Sequence, residues 1–274
     1  MDVVVRQLDG IAEWTAAGLL YRSVFGYTAP EWGLNPRLLA ALRENGGTVI
    51  GALGENGELV GFCYGFTGLQ DGEIYHYSQA AVVAPAAQGT GIGRLLKHAQ
   101  AAAARLTGAR TMRWTFDPYA LRNAHFNFAV LRATGLRFLP DFYGEPGTDR
   151  VLVSWNLDQA VPSDTAQPPT IVPPIPGTSP ATRHADGLPA TGHADSMPGA
   201  GGGVGAGRGR AGPGDGRIVV AAGERVAAPD PADRGWLRRE LVTRFAEGGR
   251  LVDVVRPDGD PGRVAYLFAT EDGA

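Results

Sequence analysis

Apolar positions along residues 1–158 recur with two periods, and the switches between them predict the order of elements. Val3-Val4-Val5 reads as a short strand, and behind it Ile11, Trp14, Gly18, Tyr21 and Phe25 recur at helical spacing. Asn35-Pro36 supplies an N-cap and a first-turn proline for a second helix, with Leu38, Leu39 and Leu42 as its buried stripe. Strands over 48–53 and 59–67 flank the turn residues Glu55-Asn56-Gly57-Glu58, which predicts an antiparallel hairpin. A longer strand runs from Glu73 to Val83 and stops at Ala84-Pro85. Past a glycine-rich turn, Ile92, Leu95, Leu96, Ala99, Ala103 and Leu106 form one face of a helix, with Arg94, Lys97, His98 and Arg105 off it. Met112 to Phe116 reads as a strand, Asn123 to Ala133 as a helix ended by Gly135, and Val151, Val153 and Trp155 as alternating positions of a last strand.

The pattern stops at Gln159. Residues 159–216 hold 10 Pro and 13 Gly and no Phe, Tyr or Trp, a composition that cannot bury enough apolar surface to offset the entropy of ordering it. A disordered linker is expected there, stiffer in its Pro-rich first half. Periodicity returns in residues 217–274. Asp230-Pro231 opens a helix with Trp236, Leu237, Leu241 and Phe245 on one side, Gly248-Gly249 ends it, and strands over 251–255 and 263–268 flank the turn Pro257-Asp258-Gly259-Asp260. So short a unit is expected to dock on residues 1–158 instead of standing alone.

Composition narrows the function. A formal net charge of −3 offers no basic field for nucleic acid, and one cysteine excludes a disulfide framework. No metal-ligand spacing occurs, and no long apolar run suggests a membrane span or signal peptide. A cytoplasmic protein with no metal, no nucleic-acid partner and no membrane partner is expected; nothing in the sequence sets its oligomeric state.

One stretch carries chemistry. Val83-x-Pro85 closes a strand, and Gln88-Gly89-Thr90-Gly91-Ile92-Gly93-Arg94 turns into a helix whose first amides lack intrahelical acceptors. Free amides, the positive end of the helix dipole and glycines without a Cβ favour a phosphate. The Walker spacing fails because no Lys follows, and the Rossmann spacing fails because the glycines fall as G-x-G-x-G. Gln88-x-x-Gly91-x-Gly93 behind Val83-x-Pro85 resembles the GNAT superfamily of acyl-CoA-dependent N-acyltransferases. The order of elements over residues 1–158 is also that of the family. Thr115-Phe116-Asp117-Pro118, Arg122-Asn123-Ala124, Phe126-Asn127 and Asp149-Arg150 further resemble a poorly characterised bacterial branch of predicted GNAT acetyltransferases.

The resemblance implies an α/β (α+β) fold, a mixed, mostly antiparallel sheet flanked by helices. It implies acetyl-CoA as acyl donor, with a primary amine of a small or amino-acid-like molecule as acceptor. The main chain of Ala81, Val82 and Val83 would pair with the pantetheine arm. The turn from Gln88 through Gly89, Thr90, Gly91, Ile92 and Gly93 would hold the pyrophosphate, and Arg94 would add a contact or stay solvated. Asn123 and Asn127 lie one helical turn apart and would both face the cofactor, Asn123 being alternatively an N-cap.

Catalysis is harder to place. Strand alternation puts Tyr75, Tyr77, Gln79, Ala81 and Val83 on one face and His76, Ser78 and Ala80 on the other. Where several GNAT enzymes carry Glu or His, this chain has Tyr77 and Gln79, neither a ready base near neutral pH, so a water relay to Glu73 or His76 is an option. The helix stretch Val130-Leu131-Arg132 also lacks the family's usual Tyr near the thiolate, and Tyr143 is the substitute candidate. The acceptor would lie where Tyr77 and Gln79 face the segment of Tyr143, Asp149 and Arg150, with Asp149 for a cationic amine and Arg150 for a carboxylate, or the two as an ordinary surface pair. Aromatic packing is the competing role for Tyr77 and Tyr143. The alternative function is a catalytically silent acyl-CoA-binding or interaction module.

Overall fold

The computed structural model describes residues 2–158, 217–221, 231–255 and 263–269. The expected linker, the Pro257 turn and Asp230 lie outside these residues. Strand β1 (Val4–Gln7) leads through helices α1 (Gly10–Phe25) and α2 (Pro36–Glu44) to the meander β2 (Thr48–Leu53), β3 (Leu59–Gln70) and β4 (Glu73–Val83). Helix α3 (Ile92–Arg105) returns the chain to β5 (Thr111–Phe116), and α4 (Leu121–His125) carries it to β6 (Thr134–Leu139) and β7 (Arg150–Asn156). Strand β8 (Arg217–Ala221), helix α5 (Pro231–Ala246) and strands β9 (Arg250–Val255) and β10 (Arg263–Ala269) follow.

The ten described strands form one sheet in the order β1-β2-β3-β4-β5-β7-β6-β9-β10-β8. Every pairing is antiparallel except β4 with β5, which α3 connects as a crossover. The sheet is therefore mixed, mostly antiparallel and flanked by helices. Leu8, Leu39, Val49, Phe62 and Val82 pack together on the side of α1 and α2, and Ile50, Ala52, Cys63 and Leu96 on the side of α3. Among the described helices none is long and apolar enough to cross a membrane.

Local signals explain several boundaries. Asn35 Oδ1 accepts the Arg37 amide at 2.9 Å, capping α2 as its sequence predicts. Other expectations need correction. Gly135 does not end a helix. After α4 the helix widens, Leu131 N donating to Phe126 O five residues back, and the chain turns at Arg132, whose φ is 57°. Gly135 lies inside β6 because β9 comes close there: a Cβ on it would sit 2.8 Å from the Leu251 Cβ. Strands β6 and β8 escaped the pattern reading; β6 buries only Gly135 fully, so its apolar residues do not alternate cleanly. Ile11, Phe25 and Leu38 are exposed, not buried, because the core faces of α1 and α2 are taken by Ala17, Gly18 and Leu39, and Leu106, the residue that follows α3, is exposed too.

The C-terminal elements pack on the rest of the sheet. Leu237, Leu241, Leu251 and Tyr266 share one apolar cluster with Trp114, Phe128 and Val153, and the Tyr266 hydroxyl donates to Pro118 O at 2.6 Å. Arg238 on α5 binds Asp149 ahead of β7 through Nε at 2.8 Å and through a second nitrogen at 3.3 Å, and Arg234 donates to Gly147 O at 3.1 Å.

Candidate active site

Strands β4 and β5 pair over three positions only, Tyr75↔Thr111, His76↔Met112 and Tyr77↔Arg113. Beyond that rung both continue, β4 to Val83 and β5 to Phe116, with no pairing between them. The sheet opens there into a fork with one unpaired strand edge on each side, and each unpaired edge must find hydrogen-bond partners elsewhere.

A β-bulge shapes the β4 edge. The register steps from Tyr64↔Ala80 to Gly65↔Ser78, so Gln79 is an extra residue without a partner on β3. The bulge overturns the expected faces. His76 and Ser78 share the α3 face with Ala81 and Val83, whereas Tyr75 and Tyr77 share the α1 face with Ala80 and Val82. Gln79 is exposed on the bulge. The Ala84 amide donates to Val60 O, so alternation turns the main-chain groups of Val82 toward β3 and those of Ala81 and Val83 into the fork. Val82 is thus removed from the expected pantetheine contacts, and the Val83 carbonyl accepts from Gln88 Nε2 at 3.1 Å. Arg122 donates to the Oε1 of the same Gln88 at 3.3 Å, tying the end of β4 to α4.

The turn before α3 is built as an anion cradle. Gly89 and Gly91 have φ of 82° and 91°, a region open to glycine, and a Cβ on either would meet nothing within 4 Å. Among the described residues, no amide from Gly89 to Gly93 donates to a backbone carbonyl. These N–H groups, without a backbone acceptor at a helix N-terminus beside the fork, suit a pyrophosphate. Among the described residues no cluster of His, Cys, Asp or Glu suits a metal ion.

Residues 14–126 match the family model described as the acetyltransferase (GNAT) family. Those residues thus carry the signature of a GNAT acetyltransferase domain. Similar solved structures include YncA of Salmonella typhimurium with its cofactor acetyl-CoA, 21% identical with a TM-score of 0.48, covering 61% of this chain and 100% of that one. A GNAT-family protein of Desulfovibrio desulfuricans is 18% identical at a TM-score of 0.46, over 57% of this chain and 99% of that one. The ribosomal-protein-S18-alanine N-acetyltransferase of Escherichia coli is 14% identical at 0.45, over 60% and 100%. No curated protein sequence matches the chain.

The apex of the fork is bridged on both faces. On the α1 face the Tyr77 hydroxyl lies 3.3 Å from Thr115 Oγ1. Burial raises the Tyr77 pKa, with Tyr143 among the groups adding to it and Arg150 opposing. Burial likewise raises Tyr21 and Tyr64, and Tyr143 contributes to both. Tyr143 thus shares one electrostatic neighbourhood with Tyr21 of α1, Tyr64 of β3 and Tyr77 of β4. It is 57% exposed, with the Arg150 guanidinium 5.0 Å from its ring centre.

On the α3 face the sequence reading needs its largest correction. Lys97, expected on the solvent side of α3, is 4% exposed. Its Nζ donates to Ser78 Oγ at 2.8 Å and lies 3.9 Å from the centre of the Trp114 ring. Ser78 Oγ donates to Gln100 Oε1, Gln100 Nε2 donates to Thr48 Oγ1, and Thr48 meets His76 Nε2 at 3.0 Å. Burial pushes the Lys97 amine down to about 8 and the His76 imidazole down to about 4. The one sequence signal for this buried stripe is Gly93, Ala101 and Ala104 around Lys97 and Gln100 at i, i+4, i+7, i+8 and i+11: small residues on one side let a helix settle close to a sheet.

Other candidates separate. Asn127 is buried and accepts the Trp114 indole N–H at 3.1 Å, so it supports the wall behind the fork instead of facing it. Asn123 is exposed on the first turn of α4, whose N-cap is Ala120. Arg94 Nε leans toward His98 at 3.5 Å. Asp149 is buried under Tyr119, the Asp141 amide and Arg238, closed to an acceptor amine; Arg150 beside it remains open. His76 stands on the α3 face, away from Tyr77.

Proposed function

We propose that this chain is a cytoplasmic N-acetyltransferase that moves the acetyl group of acetyl-CoA onto a primary amine. The observation that carries the reading is the fork between β4 and β5 with the amide cradle of Gly89 to Gly93 at its open end. Acetyl-CoA, when bound, supplies the activated thioester. Ala81 and Val83 offer main-chain groups to an amide-bearing arm, as one strand does to another. The cradle neutralises phosphate charge; Arg94 follows it directly in the chain, and Asn123 is next to Arg122, which donates to Gln88 ahead of it, so both can join. Tyr77 and Thr115 close the apex on the α1 face, where an amine enters between Tyr64, Tyr143 and Arg150. Arg150 has no carboxylate partner among the described residues and favours an acceptor that carries one.

The domain division belongs to the same proposal. Residues 1–158 hold the site, residues 159–216 link, and residues 217–274 dock in cis, where Arg234 and Arg238 brace the segment carrying Tyr143. A thiol-release screen with acetyl-CoA against pools of amines and amino acids tests the function. Release of CoA with mass-confirmed acetylated product supports transfer. CoA binding without product from any pool supports the silent acyl-CoA-binding module, which the lack of a ready base beside Tyr77 favours.

A further inference from the structure

Lys97 is a buried cation that phosphate binding and acceptor entry both leave unexplained. Its contacts are a serine hydroxyl and an aromatic face, with no carboxylate among the described residues. An ammonium in such a place is costly, and a side chain like Met would fill the space without that cost. Its position is specific. Ser78 and Trp114 are the first residues of β4 and β5 past the last shared rung, Tyr77↔Arg113, and Nζ touches both. Nζ therefore lies at the apex of the fork on the α3 face, opposite the Tyr77 and Thr115 hydroxyls.

Acyl transfer from a thioester leaves sulfur with an electron pair and needs a proton for it. We propose that Lys97 is the proton donor to the departing sulfur of CoA, which rests on the fork being the acetyl-CoA groove. As the amine nitrogen bonds to the carbonyl carbon, the C–S bond breaks with its pair on sulfur. The Nζ proton moves to that sulfur and leaves a neutral amine. The acceptor's surplus proton passes to water, and Lys97 regains a proton from water. The groups facing Nζ are Cys63 from β3, His76 and Ser78 from β4, Trp114 from β5 and Gln100 from its own helix. None is charged at neutral pH, because burial holds His76 down at about 4 and Cys63 up at about 12. Desolvation sets Lys97 at about 8. An ordinary thiol lies near ~8.5, so donor and acceptor are matched.

The test reads the thiol and does not need the acceptor. CoA bound to the full-length chain is titrated by its thiolate absorbance, with desulfo-CoA as the blank, in wild type, Lys97→Met and Lys97→Arg. A cation at the apex should lower the bound thiol pKa by about one unit in wild type and in Lys97→Arg. The value should return to that of free CoA in Lys97→Met, with CoA affinity kept. With an acceptor from the screen, Lys97→Met should also lose about a hundredfold in kcat. A bound thiol that titrates as free CoA in wild type, or stays shifted in Lys97→Met, overturns the role of Lys97 alone. Failure of wild type to bind CoA overturns the groove and this inference with it.

Discussion

Replacing Arg238 by Met should weaken the fold in a way that depends on pH. Asp149 is 2% exposed and is held by the Tyr119 hydroxyl at 2.6 Å, the Asp141 amide at 2.9 Å and Arg238 at 2.8 Å. Burial acts to raise the Asp149 pKa, but the hydrogen bonds from Arg238, Tyr119 and the Asp141 amide outweigh it and leave the carboxyl below its usual range. Methionine keeps the stem and removes only the charge and its donors. A hydrogen bond to a charged group contributes roughly 1.5–3 kcal/mol, and the Arg238 side chain is 43% exposed, so water replaces part of the loss. A destabilisation of about 1.5 kcal/mol at neutral pH follows, which for a chain of this size is about 3–6 °C in Tm. The folded pKa is depressed, so the contribution is fully present above the unfolded carboxylate value of ~3.9 and fades as pH falls through the folded one. Urea unfolding of wild type and variant at neutral pH and at successively lower pH measures it. A midpoint difference that is absent at neutral pH, or that persists unchanged once Asp149 is protonated, would refute the reasoning.

Gly93→Val should keep the fold and lose CoA affinity by more than tenfold, about 1.4 kcal/mol by calorimetry. Its Cβ would meet Phe126 at 3.7 Å and Val83 at 4.0 Å, ordinary contacts, whereas Gly91 at a φ of 91° would add backbone strain of its own. Tyr77→Phe should lower turnover with CoA affinity unchanged and cost under about 1 kcal/mol of stability, since it loses a single 3.3 Å contact with Thr115. Cys63, fully buried with its thiol pushed up to about 12, should resist thiol reagents in the native protein and react on denaturation; rapid native labelling read by mass spectrometry would contradict the packing.

What the sequence determined by itself is what local chemistry decides. The Asn35 cap, the stop of β4 at Pro85 and the glycine spacing before α3 each depend on a few neighbouring residues, so they read correctly without a fold. The amide cradle was legible for that reason. Tertiary structure decided what depends on register between distant strands. The bulge at Gln79 exists only relative to β3, and one unpaired residue there exchanges the faces of every residue beyond it. The fork exists only because β4 and β5 part after Arg113, and no property of either strand alone states where. Lys97 reads as a surface residue on a helical wheel, and became buried because Ser78 and Trp114, far apart in the chain, converge on the small-residue side of α3. Gly135 reads as a helix stop, while its reason is the close approach of Leu251 from a segment more than a hundred residues later. Non-local pairing has no local pattern to announce it, and the chemistry at the apex of the fork is assembled from such pairings.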